Sequence, residues 1–323
     1  MSKALVGVVV CLGLAVLPSV AQPPRWVLVI HGGAGAEEAL TLDRQKAYEG
    51  GLSQALAIGK DSLKNGGTAL DTCEKVIRTM EDEPLFNAGK GAVYTADGKH
   101  ELDASIMDGK TLACGAVAGV STIKNPITLA RLVMTKTRHV LLTAAGAEKF
   151  ADEMKVERVP NSYFDTPEKY AEFQRWQKKQ AEPVKGGSTV GCVCLDTHGN
   201  LAAATSTGGL TGKKFGRVGD SPIIGAGTFA DNRSCAVSCT GTGEEFIRHG
   251  VARSIAHLME YKGMSAKAAA DEVMFKVLKP GIGGCIVVSH TGEVATSFNT
   301  NAMFRGVADS TGRSLVAIFP EGK

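Results

Sequence analysis

Residues 189–195, TVGCVCL, restrict the fold more than any other stretch of the chain. Val190, Cys192 and Cys194 alternate with Val193 and Leu195, so an extended backbone is apolar on both faces and must be covered on both sides. Two sheets packed together with helices outside satisfy this demand. The strand also has an unusual neighbour. From Ala151 to Lys185, Lys, Glu, Gln and Arg crowd out apolar residues, which reads as a solvated helix giving way to a flexible linker. Gly186-Gly187-Ser188 ends that tether, so a polar segment runs directly into a buried strand at Thr189.

The remaining elements can be read in order. Trp26–Ile30 is an apolar run entering the glycine loop His31-Gly32-Gly33-Ala34-Gly35. Leu42–Leu63 and Ala69–Met80 read as helices. The second has Cys73, Val76, Ile77 and Met80 on one face, with Thr68-x-x-Asp71 as a capping-box variant. Leu112–Val120 reads as a small-residue strand, and Asn125-Pro126 starts a helix with Asn at the N-cap and Pro at N1. Strands follow at Thr189–Asp196, Leu201–Thr205, Ser234–Cys239, Gly283–Ser289, Val294–Asn299 and Leu315–Phe319. One helix, Glu244–Glu260, interrupts them, with Ile247, Val251, Ile255 and Leu258 on one face.

The ends and the composition narrow the class. Lys3, an apolar run from Ala4 to Leu17 and Ser19-Val20-Ala21 read as a signal peptide over residues 1–21, too short for a convincing membrane span. Export to the periplasm or the medium is the expectation, with no membrane association once the leader is removed. A formal charge of +3 without a basic tract, and only 6% aromatic residues, argue against nucleic acid and favour a small-molecule site. Cys11 lies in the leader. The other cysteines, Cys73, Cys114, Cys192, Cys194, Cys235, Cys239 and Cys285, are odd in number and scattered, so packed thiols are expected and not a disulfide framework. No Cys-x-x-Cys pair occurs and no histidine has metal-ligand spacing, which makes structural zinc improbable.

Two familiar motifs fail their context. The loop at His31 is similar to a lipase oxyanion loop, but no Gly-x-Ser-x-Gly elbow exists, and Gly186-Gly187-Ser188-Thr189-Val190 lacks the last glycine. Gly225-Ala226-Gly227-Thr228-Phe229-Ala230 imitates a dinucleotide fingerprint, yet a strand-like segment follows it where a helix is required. What remains is a density of hydroxyls and glycines after the tether: Thr189, Thr205-Ser206-Thr207-Gly208-Gly209 and Thr240-Gly241-Thr242-Gly243. A hydroxyl needs a base before it attacks, and the free α-amine of a chain-initial threonine is one. Such an amine titrates near pH ~7.7–8.0. The tether therefore ends where a new amino terminus would be made.

These residues carry a resemblance. "STVGCVCLD", "ATSTGG", "GRVGDSPIIGAGTFADN" and "SCTGTGEEFIR", with "HGGAGA", "PLFNAGKGAVYT" and "ELDASIMDG" upstream, closely resemble the plant-type L-asparaginase/isoaspartyl peptidase family of N-terminal nucleophile hydrolases, from about Trp26 to Phe319. The resemblance implies an α+β fold, a four-layer αββα sandwich, that folds as one domain. It further implies self-cleavage between Ser188 and Thr189 into an α subunit, 22–188, and a β subunit, 189–323. Thr189 matches the nucleophile and Thr207 the threonine that positions it. Thr240 and Gly241 match the oxyanion site, Arg217 the grip on the substrate α-carboxylate, and Asp220 with Gly243 the α-amine site. Asn87 falls in the "FNAG" stretch near the site. The loop Met80–Lys90 is similar to one that holds a structural sodium through backbone carbonyls, here those of Met80, Glu81, Glu83, Phe86, Ala88 and Lys90.

The implied activity is hydrolysis of L-asparagine and β-aspartyl peptides through a β-aspartyl-Thr189 ester, without a catalytic cofactor, in a dimer of αβ units. Ser188 departs from the family's usual Gly or Asp, which bears on the speed of self-cleavage. Thr242 stands where many members have His, which bears on substrate choice. Two other readings stay open: a glycosylasparaginase, and a non-catalytic exported amino-acid-binding protein that uses Arg217 and Asp220 alone. In the residue-level reading Arg217 and Asp220 form a surface ion pair or face one pocket, His31 is a structural hydrogen-bonder, and Glu244 and Glu245 are helix-start acids.

Overall fold

A computed structural model of the chain describes Met1 and residues 26–35, 40–179 and 189–320. The leader's apolar run and cleavage point, and residues 180–188 of the tether with Ser188, lie outside the described residues.

The strand that begins after Thr189 sits near the middle of the larger of two sheets. That sheet runs β12 (Ser314–Ala317), β11 (Met303–Asp309), β1 (Val27–Ala34), β5 (Val190–Leu195), β6 (Leu201–Thr207), β2 (Leu102–Asp108), β3 (Cys114–Val120), β4 (Leu141–Thr143). The smaller runs β10 (Val294–Phe298), β9 (Gly283–Ser289), β8 (Cys235–Gly241), β7 (Thr228–Ala230). The ladders between adjacent strands are antiparallel, apart from the parallel pairing of β3 with β4. Strands β1, β5 and β6 face β8 and β9 across the interior. Helices α1 (Leu42–Lys64), α2 (Ala69–Asp82) and α3 (Pro126–Lys136) cover the outer face of the larger sheet. Helices α7 (Val251–Lys262) and α8 (Ala266–Asp271) cover the smaller one. The layers are αββα.

Strand β5 shows why. Val190, Cys192 and Cys194 join the core under α1 and α2 with Leu28, Ile30, Leu56 and Val76, whereas Val193 and Leu195 join Val29, Ala203, Val237 and Val287 between the sheets. The Cys73 thiol packs 3.6 Å from the carbonyl oxygens of both Cys192 and Ala202, closing the first core.

Helix starts follow their caps, with two changes. Thr68 accepts the Asp71 amide at 3.1 Å, but Asp71 turns its carboxylate to Arg131 at 2.8 Å instead of completing the box. Asn125 makes no capping bond and donates to Asp82 at 3.0 Å, while Pro126 supplies the helix start. The single helix expected over 244–260 is two, α6 (Gly243–His249) and α7. Gly250 adopts φ +52°, and the amides of Ala252 and Arg253 are taken by the carbonyls of Ala226 and Gly225. Ile247 is consequently exposed and off the face formed by Val251 and Ile255.

The polar stretch 151–179 is also more than a solvated helix. Its helix α5 (Pro167–Lys179) docks through Phe173, stacked on Tyr94 with ring centroids 5.1 Å apart. Strand β11 escapes a pattern reading because Arg305 is buried in it, donating to Met303 and Phe319 carbonyls and lying over the Phe298 ring.

Gly191 is required by close packing where the two sheets meet. A β-carbon there would stand 2.1 Å from both His31 Nε2 and Ser238 Oγ. Gly191→Ala is expected to lower stability by about 1–3 kcal/mol, read as a lower urea midpoint. An unchanged midpoint contradicts this packing.

Candidate active site

Thr189 lies just ahead of β5 and Thr207 ends β6, so adjacent strands deliver the two hydroxyls side by side. The Thr189 hydroxyl donates to Thr207 Oγ1 at 3.0 Å, and Thr207 Oγ1 also accepts the Gly209 amide at 3.0 Å. Both threonines are buried. His31 Nδ1 is 3.0 Å from the Thr189 carbonyl oxygen, and burial lowers the imidazole pKa to about 3. The ring is neutral and its Nδ1 proton donates to that carbonyl, which makes His31 a structural hydrogen-bonder. Strand β6 runs two residues beyond the expected end at Thr205, and that extension places Thr207 opposite the nucleophile candidate.

A narrow cleft is lined by Thr189, Thr207, Gly209, Leu210, Arg217, Gly219, Asp220, Ser221 and Gly241. The structure thus brings five of the sequence-predicted residues to one wall-to-wall space. Thr240 is buried at the end of β8 beside Gly241, whose φ of +142° reserves the position for glycine. Gly243 begins α6 behind the cleft. A β-carbon there would lie 2.9 Å from Arg217 Nη2 and from the Asp220 amide, so its absence lets both groups pack together.

Arg217 and Asp220 face one pocket, but Arg217's ion-pair partner is Glu244. Nε and Nη2 each donate to that carboxylate at 2.9 Å, and this hydrogen bonding holds Glu244 below the usual carboxylate range. A glutamate that reads in sequence as a helix-start acid is therefore the fork that orients the guanidinium; nothing in its local pattern signals this. Asp220 is buried with Oδ2 unpartnered, and burial raises its pKa to about 7 against the pull of its own amide and Arg217. Such a carboxyl is suited to receive a cation.

Asn87 is spent within the protein. Its amide donates to the Gly209 carbonyl at 2.8 Å and accepts from Val93 at 3.0 Å, which fixes the Gly208-Gly209 turn under the cleft. The Met80–Lys90 loop lies next to it. β-Carbons on Gly89 and Gly91 would fall 2.2 Å from the Glu81 carbonyl oxygen and 2.1 Å from that of Phe86, so the glycines close over a carbonyl-lined turn. Two other carbonyls, of Glu83 and Ala88, accept the amides of Phe86 and Gly91 at 3.3 Å. Carbonyl oxygens of this kind suit a hard cation. Among the described residues no group of three His, Cys, Asp or Glu could hold a metal ion.

A four-layer αββα sandwich with a threonine at the head of a central strand is the architecture of the N-terminal nucleophile hydrolases. The chain belongs to the asparaginase family, whose model matches residues 24–318. It is 48% identical to the isoaspartyl peptidase of Escherichia coli (strain K12) over 294 residues, 86% of this chain and 91% of the relative. It is 42% identical to the probable isoaspartyl peptidase/L-asparaginase 2 of Arabidopsis thaliana, over 91% and 99% of the two chains. It is likewise 42% identical to the isoaspartyl peptidase/L-asparaginase of Homo sapiens, over 86% and 91%.

The Asp220 pKa sets a pH dependence. Only the ionised carboxyl attracts an ammonium group, so affinity is retained above about 7 and lost as pH falls through that value. Calorimetric binding of L-aspartate is expected to weaken about tenfold per unit below it, and Asp220→Asn to flatten that limb. A flat wild-type profile from acid to neutral pH contradicts the assignment.

Proposed function

We propose that the protein is an autoprocessed amidohydrolase that cleaves L-asparagine and β-aspartyl (isoaspartyl) peptides. The observation that carries this reading is the 3.0 Å contact between the Thr189 and Thr207 hydroxyls in a cleft whose other wall holds Arg217 and Asp220. The names of the relatives support the same substrate class.

Scission between Ser188 and Thr189 divides the chain into subunits 22–188 and 189–323 and gives Thr189 a free α-amine. Arg217 receives the substrate α-carboxylate and Asp220 its α-ammonium. Thr189 Oγ1 then attacks the side-chain carbonyl carbon, and its proton passes to the α-amine. The Thr240 hydroxyl and the Gly241 amide receive the oxyanion. Collapse breaks the C–N bond, and the α-amine returns the proton to the departing ammonia or amine. Water attacks the β-aspartyl ester, giving its proton to the same amine, and aspartate leaves as the Thr189 hydroxyl is restored.

The carbonyls of Met80, Glu81, Glu83, Phe86, Ala88 and Lys90 would hold a sodium ion, whose part is to brace the loop that carries Asn87. The leader over 1–21 directs export, and αβ units pair as a dimer. No helix among the described residues is long and apolar enough to cross a membrane.

Mass spectrometry of the purified protein is expected to show two fragments, the second starting at Thr189, with hydrolysis of β-Asp-Leu and asparagine. Thr189→Ala is expected to stay one chain and to be inert; turnover by that variant defeats the mechanism. Release from β-Asp-Leu without release from glycosylated asparagine separates this reading from a glycosylasparaginase. Thr240→Ala is expected to lower kcat by ~10²–10³, and a kcat within a few-fold of wild type removes Thr240 from the oxyanion site.

A further inference from the structure

Five buried polar side chains cross the space between the sheets and end on the nucleophile's own carbonyl. They are His31 on β1, Ser105 on β2, Thr205 on β6, Thr228 on β7 and Ser238 on β8, and each is fully buried. His31 Nε2 lies 3.0 Å from Ser238 Oγ, Ser238 Oγ 2.7 Å from Thr205 Oγ1, and Thr205 Oγ1 2.6 Å from Thr228 Oγ1. Ser105 Oγ closes the series, 2.8 Å from Thr228 Oγ1 and 2.6 Å from the carbonyl oxygen of Ser221, which lines the cleft.

The chain has one direction. A carbonyl only accepts, so His31 Nδ1 carries the proton toward Thr189. The ring is neutral, so Nε2 is an acceptor and Ser238 donates to it. Ser238 Oγ then accepts from Thr205, and Thr205 from Thr228. Ser105 points its proton at Thr228 and the Ser221 carbonyl. A row of hydroxyls in an otherwise apolar interior is costly unless every member is paired, and this row is paired throughout.

We propose that this hydroxyl–imidazole chain positions Thr189, with Thr205 and Ser238 as positioning residues for its reaction. The inference rests on the amidohydrolase reading and deepens it. Thr189 precedes the ladder of β5, so its carbonyl is held by an imidazole. After scission its nitrogen loses a covalent neighbour as well. The residue that must aim its hydroxyl is then fixed by the strand that follows, by Thr207 and by His31, and the chain holds the position of His31 from the second sheet. It also ties the cleft wall at Ser221 to the nucleophile.

Thr205→Val keeps the volume and removes the hydroxyl, whereas Thr205→Ser keeps the hydroxyl. On asparagine and β-Asp-Leu, with rates referred to the cleaved fraction measured by mass, Thr205→Val is expected to lower kcat at least tenfold with KM within about twofold. Thr205→Ser is expected to stay within about threefold of wild type. A Thr205→Val chain that remains uncut beside a fully cut Thr205→Ser chain gives the same answer at the earlier step. In parallel, ¹⁵N NMR of the wild type should show His31 neutral with its proton on Nδ1 between pH 5 and 8. Wild-type kcat in Thr205→Val, equal damage in both variants, or a His31 proton on Nε2 overturns the proposal. A wild type inert on both substrates with His31 in the stated tautomer defeats the amidohydrolase reading and leaves the chain standing.

Discussion

Strand β5 has to be buried on both faces while the residue immediately before it reaches a narrow cleft, and the architecture answers that single constraint. Helices α1 and α2 seal one face and the smaller sheet seals the other. Because the strand is central, Thr189 is met by the ends of neighbouring strands, and the 208–227 loop completes the cleft. Thr207 reaches it from β6, His31 from β1, and Gly241 from β8 across the sheet interface. A site assembled on strand ends in this way is rigid, which suits chemistry that depends on aiming one hydroxyl.

The electrostatics divide the cleft into two halves. At one end uncharged hydroxyls and amides surround the reacting oxygen. At the other, Arg217, held by Glu244, stands near the unpartnered Oδ2 of Asp220. On the proposed reading, the ammonium of a zwitterionic amino acid supplies the partner that Asp220 Oδ2 lacks. On that same reading, selectivity for an α-amino acid end and reactivity at a side-chain carbonyl come from opposite ends of one small space.

Much of this was legible in the residues. The two-faced apolar run at 190–195 required layers on both sides, and the hydroxyl and glycine clusters at 205–209 and 240–243 fell at strand ends, where such residues converge. The parts that were not legible share one cause. Arg305 in β11 and Asp103 and Ser105 in β2 place polar groups at buried strand positions, which breaks the apolar pattern by which strands are read. Each of these groups is placed by partners distant in sequence, Arg305 by Phe319, Asp103 by Gly119 and Ser105 by Thr228, and the same holds for Glu244, placed by Arg217. The break at Gly250 was hidden for the same reason, since the carbonyls that take the first amides of α7 belong to Gly225 and Ala226. Asn87 is a milder case: its motif placed it near the site, and only its partners show that it braces the Gly208-Gly209 turn.

The central claim is that Thr189, once it begins a chain, carries the acyl group. Quenching turnover of asparagine in acid and sequencing the acylated fragment by mass spectrometry tests it most directly. A β-aspartyl group on the Thr189 side chain of a fragment that begins at Thr189 is the predicted result. An acyl group on any other residue, or turnover by a chain still joined at 188–189, contradicts the account.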